Sequence, residues 1–459
     1  MLINSYDWAY DTFSHANLGD KRRVSRLIQL ACSMANQLGK SVVKASESSA
    51  QIEAAYRFIR NPAIDTQAIA EAGFRATADK LEWFDTVLAL EDTTSLNFSH
   101  NSVSNELGHV TSHKTSRGIQ AHSVLAFAPD EGQVLGLLEQ TRWTRDIKKM
   151  GQKKQATQRP YREKESYKWE RASRQMSERL GEQMSRVISV CDRESDIIEY
   201  LKYKCDHQQR FVVRCMMSRH IEEADNKLFA YGNTLQSASG RQVLIPQKGG
   251  RKARVAECDI RYAPVTLKMP SNKSGTSTAL YYVSCIERNA PNGLSWHLLT
   301  TEKITSAAEA EKVIQYYERR WLVEEFHKAW KSGGTQVEKL RMQCRDNLER
   351  MVVILAFIAV RVHQLRYLGN NKDVAEKTSC EAILSTIEWK LLWKKQEERA
   401  LPRRPPSLYW AYQSMGKLGG WYDSKSNGRV GWETLWEGWF KLQTILEGYQ
   451  LAMSLWSDM

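Results

Sequence analysis

The sequence predicts an α/β fold, with a mixed sheet at its centre and helical domains at both ends. Short apolar runs typical of strands alternate with helical stretches through the middle of the chain. Residues 118–129 and 132–140 form two such runs, joined by a Pro-Asp-Glu-Gly turn that predicts a hairpin. Helical periodicity dominates both ends instead. The order strand, hairpin, helix, strand and helix is that of a ribonuclease-H-like core.

Composition favours a globular protein with a polyanionic partner. The chain has 459 residues, is 42% hydrophobic and 26% charged, and carries a net charge of +13, so several domains and an anionic partner are expected. No membrane-spanning run or signal peptide is predicted, and the eight cysteines form no CxxC pair. We therefore expect a protein of the reducing cytoplasm without a zinc site, a disulfide framework or a membrane partner.

Residues 1–70 are predicted to form a small helical module. One amphipathic helix follows the segment LGDKRR, and a second spans residues 48–60 and stops before Asn61-Pro62. Arg22, Arg23 and Arg26 crowd the start of the first helix. Positive charge there opposes the helix dipole, which suggests an external anion such as DNA phosphate.

Two carboxylates follow apolar, strand-like runs in the middle of the chain. The run 86–91 leads to Asp92, and the run 186–191 leads to Asp192. A lone Asp after a strand is more often a turn former or helix cap. Asp192 has two competitors nearby, Glu194 and Asp196, and the residues alone do not choose among them.

Two further segments have a distinctive composition. Residues 142–174 are strongly basic and interleaved with Trp and Tyr, which suits nucleic acid, although a solvated charged face is the alternative. From about residue 227 to 301, glycines, serines and short alternating runs predict an antiparallel β insertion.

The segment QYYERRWLVEEFHKAWK, residues 315–331, is predicted to be helical. At about 100° per residue, four of its side chains fall within roughly a 60° arc of one helix face. These are Tyr317, Arg320, Glu324 and Lys331. The neighbouring Glu325 falls about 100° further round, so helix geometry selects Glu324 as the acid of this face.

Asp92, Asp192 and Glu324 together suggest a metal site. Three carboxylates in one place repel one another unless cations intervene, and oxygen ligands favour Mg²⁺ or Mn²⁺ over zinc. Two such ions can activate a water or 3′-hydroxyl and stabilise the leaving oxygen in phosphodiester cleavage. The sequence therefore predicts a metal-dependent phosphodiester site.

Several segments strongly resemble the bacterial cut-and-paste DDE transposases of the "IS-four" family, to which the "Tn-five" transposase belongs. The resemblance covers nearly the whole chain in the same order. It is carried by the segments LGDKRR, AAYRFIRNP, LALEDTTSLNFSH, SVCDRESDI, RFVVR, WHLLTTE, YYERRWLVEEFHKAWK, DNLERMV and LWEGW.

The resemblance implies roles for individual residues. Asp92, Asp192 and Glu324 would be the metal-binding triad, with two Mg²⁺ ions that Mn²⁺ can replace. Tyr317, Arg320 and Lys331 would hold phosphate near a DNA hairpin, and Trp296 would stack on a flipped base. Other positions that match or adjoin DNA contacts are Arg214, Trp321 and Lys328.

The resemblance also implies domains and partners. Residues 1–70 would bind the transposon ends, residues 71–368 would form the catalytic domain, and residues 369–459 would dimerise the chain on paired transposon-end and target DNA. We expect such a protein at the bacterial nucleoid. Two departures from the family pattern limit which residue roles can be carried over to this chain. Cys215-Met216-Met217 stands in place of a polar and basic segment, and residues 227–295 and 369–404 match poorly.

Two other functions stay open at this point. A catalytically inactive, transposase-derived regulator would bind DNA ends or form inactive dimers, but the acid triad is intact. A general nuclease with the same core would have little use for the segments that resemble end-binding and dimerisation domains.

Overall fold

The computed structural model of the chain describes most of its residues, and the fold is given for those alone. The described residues are 5–98, 100–111, 113, 115–149, 159–225, 227–245, 252–273, 275–290, 292–422, 424 and 430–457. The centre of the basic stretch 142–174 lies outside the described residues, as does part of the predicted β insertion.

The described α-helices make up both ends of the chain and alternate with the strands in its middle. In chain order they are α1 (Ser5–Phe13), α2 (Lys21–Asn36), α3 (Val42–Ala45), α4 (Ser49–Arg60), α5 (Thr66–Ala78), α6 (Lys168–Leu180), α7 (Ile198–Asp206), α8 (Leu228–Thr234), α9 (Ala307–Arg319), α10 (Trp321–Lys328), α11 (Arg345–Asn370), α12 (Lys372–Lys377), α13 (Thr386–Glu397), α14 (Leu408–Leu418) and α15 (Trp432–Ser457).

The described strands form one mixed sheet. They are β1 (Val87–Asn97), β2 (Gly108–His109), β3 (Arg117–Ala128), β4 (Gln133–Trp143), β5 (Val187–Cys191), β6 (Arg210–Arg214), β7 (Ser239–Ile245), β8 (Arg254–Leu267), β9 (Thr278–Glu287) and β10 (Ser295–Thr300). Their order is β2-β3-β1-β5-β6-β10-β9-β8-β7, with β4 paired to β3. The predicted hairpin is confirmed as β3 and β4.

The parallel part of the sheet sets the position of the site. β1 runs parallel to β5, and β5 runs parallel to β6. Their carboxyl ends therefore lie along one edge of the sheet. The predicted antiparallel insertion continues beyond β6, because β10 pairs with β6 and the remaining strands follow in antiparallel order.

β1 is longer than the sequence predicted. The expected strand ended at Glu91, whereas β1 continues through Asp92 to Asn97. Its pairing with β5 stops at Leu90, but its pairing with β3 continues to the end of the strand. Because β3 still satisfies the backbone on one side, the chain has no need to turn at Asp92. The prediction that Asp92 ends its strand is therefore wrong.

The helix predicted to carry the four-residue face is divided. α9 ends at Arg319, α10 begins at Trp321, and a π-helical turn spans Ala329–Gly333. At the junction, the N–H of Arg320 donates to Tyr317 O and the N–H of Val323 donates to Arg320 O. These tighter bonds shift the helix register, and the π turn then widens it around Lys331. A single straight helix is therefore only an approximation.

The two predicted N-terminal helices are present, but α2 begins earlier than predicted, at Lys21, and α4 begins at Ser49. Asp20 caps α2 by accepting from the N–H of Arg22, and it also pairs with the Arg22 guanidinium. Ser48 caps α4. The Asp20 carboxylate supplies a local reason for the arginines at this helix start, because negative charge there favours the helix dipole.

The long apolar helix α11 lies in the core. It is the described helix that is long and apolar enough to cross a membrane, yet two thirds of its apolar window, 67%, is buried inside the protein. It packs against β4, α5 and α2. Arg350 of this helix donates to the carbonyls of Ile59 and Ile64, which fastens the N-terminal module to the core. The apolar composition therefore reflects core packing.

In the described part of residues 142–174, not every basic side chain is exposed to solvent. Arg142 donates to Gln140 O within β4, and burial lowers the pKa of its guanidinium. Lys168 is buried and pairs with Glu194 at 3.0 Å. These two cations serve internal contacts, so net composition overstates the basic surface of this segment.

Candidate active site

Asp92 and Asp192 lie beside each other at the carboxyl edge of the parallel strands. The matched residues of β1 and β5 run from Val87 and Val187 to Leu90 and Val190. Asp92 and Asp192 each lie two residues beyond the last matched pair, Leu90 and Val190. Neighbouring strands are about 4.8 Å apart, so the topology brings together two acids that are distant in sequence.

The two carboxyl groups have opposite electrostatic tendencies. Burial raises the pKa of Asp92, but the contact with His327 and the charge of Arg320 outweigh it and hold that pKa below its usual value. Burial raises the pKa of Asp192, and the charge of Asp92 adds to the effect. A nearby cation would therefore favour the charged form of both carboxyl groups.

Asp192 also caps the short turn that follows it. One of its oxygens, Oδ1, accepts from the N–H of Glu194 at 2.9 Å. Its competitors are engaged elsewhere: Glu194 pairs with Lys168, and the buried Asp196 accepts from Arg219 and from the N–H groups of Met216 and Met217. The charge of Asp92 acts on Asp192.

Glu324 approaches this edge from α10. Its carboxylate is 30% exposed and accepts from the Arg320 guanidinium. Burial alone would lower the pKa of Arg320, but its electrostatic interactions with Tyr317, Glu324 and Asp92 together raise it. Glu325 instead pairs with Arg366 at 3.2 Å. The guanidinium of Arg320 thus interacts with all three acids predicted for the site, since it also affects Asp192.

The donor set fits a divalent cation only in part. Asp92 and Asp192 supply paired oxygen ligands of the kind that Mg²⁺ or Mn²⁺ takes. Among the described residues, however, no group of three or more His, Cys, Asp or Glu side chains is close enough to hold a metal ion. Glu324 is held by Arg320, so it would have to turn to join the two aspartates.

Aromatic and basic residues of the predicted DNA contacts cluster beside the acids. The Trp296 ring meets the Tyr317 ring edge-on at 5.4 Å, and the Arg214 guanidinium lies 6.0 Å from the Tyr317 ring centroid. Arg214 also donates to Ser295 O at 2.9 Å. Its position at the end of β6 puts it on the same sheet edge as Asp192.

The remaining predicted contacts differ in exposure. Trp321 is 53% exposed, and Lys328 is also exposed on α10. Lys331 is half-buried and lies 3.7 Å from Glu338. In the N-terminal module, Arg22 and Arg26 retain exposed surface, whereas Arg23 donates to Leu18 O.

Two residues of this region were not predicted from the sequence. His327 lies one helical turn after Glu324, and its Nδ1 atom is 3.5 Å from Asp92 Oδ2. Glu338 accepts from the N–H of Asn97 at 2.8 Å and also faces Lys331. The position of His327 three residues after Glu324 was the available signal, because such residues share a helix face.

Comparison with known proteins identifies one part of the chain. Residues 5–64 match the family model described as "Transposase DNA-binding". A solved structure of the piggyBac transposase synaptic complex with hairpin DNA is also similar, with 9% sequence identity and a TM-score of 0.42. That likeness covers 80% of this chain and 76% of the other. At this level it establishes no detail of the site.

Proposed function

We propose that this chain is a DNA transposase of the cut-and-paste DDE type. The proposal is carried by Asp92 and Asp192, which lie level on neighbouring parallel strands beside Glu324 and its partner Arg320. The match of residues 5–64 to a transposase DNA-binding model supports DNA as the partner. The strand order β4-β3-β1-β5-β6 supports a ribonuclease-H-like core.

Asp92, Asp192 and Glu324 would hold Mg²⁺ or Mn²⁺, two ions to a site. Such ions supply Lewis acidity and an activated water or 3′-hydroxyl for in-line attack on phosphorus. The chain's own task is to place the DNA. Arg320 and Lys331 supply positive charge for binding phosphate. Arg320 pairs with Glu324 and Lys331 faces Glu338, and the phosphate would displace these carboxylates.

Trp296 would stack on an unpaired base next to the reacting strand. Its half-buried indole contacts the Tyr317 ring, and the Arg214 guanidinium lies 6.0 Å from the centroid of that same ring. Unstacking a base costs a few kcal/mol, and an aromatic surface returns about 1–3 kcal/mol. This cluster would favour the bent strand of a DNA hairpin.

The proposed order of reactions follows from the resemblance to the "IS-four" family. One strand is nicked by water, the freed 3′-hydroxyl forms a hairpin, the hairpin is opened, and the end is joined to target DNA. Each step is an attack on phosphorus, so one set of acids serves them all. The protein would act on the bacterial nucleoid.

Two protomers would pair the two DNA ends through their C-terminal helices. The last turns of α15 expose a row of large apolar side chains, of which Leu451, Leu455 and Trp456 are the most open. An apolar row of this kind on a surface helix favours a protein contact. We propose that a second copy of the chain packs against this apolar row.

The test supplies purified chain, Mg²⁺ and linear DNA that carries the inverted repeats flanking the gene. We expect release of a hairpin-ended fragment. Asp92→Ala should abolish the cleavage and leave end binding intact, whereas loss of both would make Asp92 a structural residue. End binding without any cleavage by the wild-type chain would favour a regulator, and cleavage without end preference would favour a general nuclease.

A further inference from the structure

His327 occupies an unusual position behind the proposed acids. It lies on α10 three residues after Glu324, is only 4% exposed, and presents Nδ1 to Asp92 Oδ2 at 3.5 Å. One short helix thus bears both an acid of the site and a partner for the acid on β1. The contact joins the helix to the strand.

The surroundings of His327 fix its ring. Phe326 lies 5.4 Å away and is stacked on the buried Trp330. The other ring nitrogen, Nε2, is buried and has no hydrogen-bond partner among the described residues. An unpaired buried nitrogen is costly, so an apolar residue would serve better if packing alone were required.

The environment of Asp92 shows what the contact does. Its carboxylate is 21% exposed, so one side faces the site and the other faces the protein. The side-chain contact at Oδ2 comes from the buried His327 ring. An oxygen held by His327 leaves the other oxygen of the same carboxylate for a cation.

We propose that His327 is a positioning residue, which holds Asp92 Oδ2 so that the carboxylate presents Oδ1 to the divalent cation. The proposal rests on the proposed function, because it takes Asp92 as a metal ligand. It goes beyond that function because it states that one side-chain contact, from His327 to Asp92, sets the distance between β1 and α10, the helix that carries Glu324. Outer contacts of this kind orient ligands, and their loss typically weakens metal affinity about 10- to 100-fold.

The experiment measures Mn²⁺ binding to the full-length chain by electron paramagnetic resonance, together with cleavage of end DNA. His327→Leu keeps bulk but removes the nitrogen, and His327→Asn keeps a donor near the position of Nδ1. His363→Leu is the matched control, because His363 is also buried with both ring nitrogens unpartnered among the described residues.

We expect His327→Leu to weaken Mn²⁺ binding about 10- to 100-fold, with end binding unchanged. His327→Asn should recover most of the affinity, and His363→Leu should match the wild-type chain. Full Mn²⁺ affinity in His327→Leu would overturn the proposal. If His327→Leu does not fold, His327→Ala replaces it as the variant without a ring nitrogen: weakened Mn²⁺ binding with recovery in His327→Asn supports positioning, and full affinity in His327→Ala overturns it.

The same experiment separates this inference from the proposed function. A wild-type chain that binds no Mn²⁺ and cleaves no DNA would overturn both. A wild-type chain that binds Mn²⁺, with His327→Leu binding it equally well, would overturn the role of His327 alone.

Discussion

Asp92 and Asp192 stand level on adjacent parallel strands, each two residues past the matched pair Leu90 and Val190. This relationship joins two acids that are far apart in the chain. Their opposite pKa shifts have different causes: burial and the charge of Asp92 raise the pKa of Asp192, whereas His327 and Arg320 outweigh burial at Asp92 and lower its pKa.

Replacing Asp192 by Asn should abolish DNA cleavage without unfolding the chain. The Asn side chain can still accept from the N–H of Glu194 and so preserve the cap. Loss of a proposed metal ligand should lower the cleavage rate by more than the ~10- to 100-fold typical of outer contacts. Cleavage by the matched variant Glu194→Gln, whose acid pairs with Lys168 instead, should stay near the wild-type rate. Equal loss in both variants would move the site acid away from Asp192.

Glu324→Gln and Glu325→Gln should behave differently although they are neighbours. Glu324 meets Arg320 beside the site, whereas Glu325 meets Arg366. We expect Glu324→Gln to lose cleavage and keep end binding. Glu325→Gln should cleave normally and lose stability, because Arg366, which is only 14% exposed, would lose its charged partner. Gel analysis of cleavage and urea denaturation of both variants provide the measurements, and the reverse pattern would contradict the assignment.

Trp296→Ala should impair hairpin formation more than the first nick. Loss of one base–aromatic stack is worth about 1–3 kcal/mol, so the nicked intermediate should accumulate. Trp296→Phe should restore part of the yield because it retains a ring. The control is Trp83→Ala, since Trp83 is a highly exposed tryptophan outside the cluster. Equal hairpin yields from Trp296→Ala and the wild-type chain would exclude stacking at this position.

Arg22→Ala and Arg26→Ala should weaken binding of end DNA and reduce its salt dependence. Each lost phosphate contact lowers the slope of log affinity against log salt by about 1. Arg23→Ala should act chiefly on stability, because its guanidinium already donates to Leu18 O. Fluorescence anisotropy over a salt series measures the slopes. An unchanged slope in Arg22→Ala and Arg26→Ala would remove them from the DNA contact.

His363 should make the fold sensitive to mild acid. Burial, reinforced by Arg366, lowers the pKa of His363 to about 3 from its ordinary value of 6.5. Below about pH 6.5 the unfolded chain therefore binds a proton at His363 that the folded chain does not bind, so the free energy of unfolding falls as the pH drops. Between pH 7 and pH 5 this one group should cost about 2 kcal/mol of unfolding free energy. Urea denaturation at both pH values should show a smaller difference for His363→Leu, and an equal difference would contradict this origin.

The sequence alone was sufficient for features that depend on short-range pattern. Apolar alternation and the Pro-Asp-Glu-Gly turn predicted the β3–β4 hairpin, and amphipathic periodicity predicted the helices that the structure shows as α2 and α4. Helical spacing also separated Glu324 from Glu325, whose side chains do meet different partners. These features are local because hydrogen-bond period and side-chain direction repeat within a few residues.

Tertiary structure decided what depends on distant partners. β1 runs past Asp92 because β3 continues to pair with it, and the helix face is divided at Arg320 where the backbone register changes. The contact of His327 with Asp92 joins residues from two elements. Local pattern proposed Asp92 and Glu324 and left Asp192 open against its neighbours, but only long-range packing fixed what these acids contact, because register and burial are properties of the assembled sheet and helices.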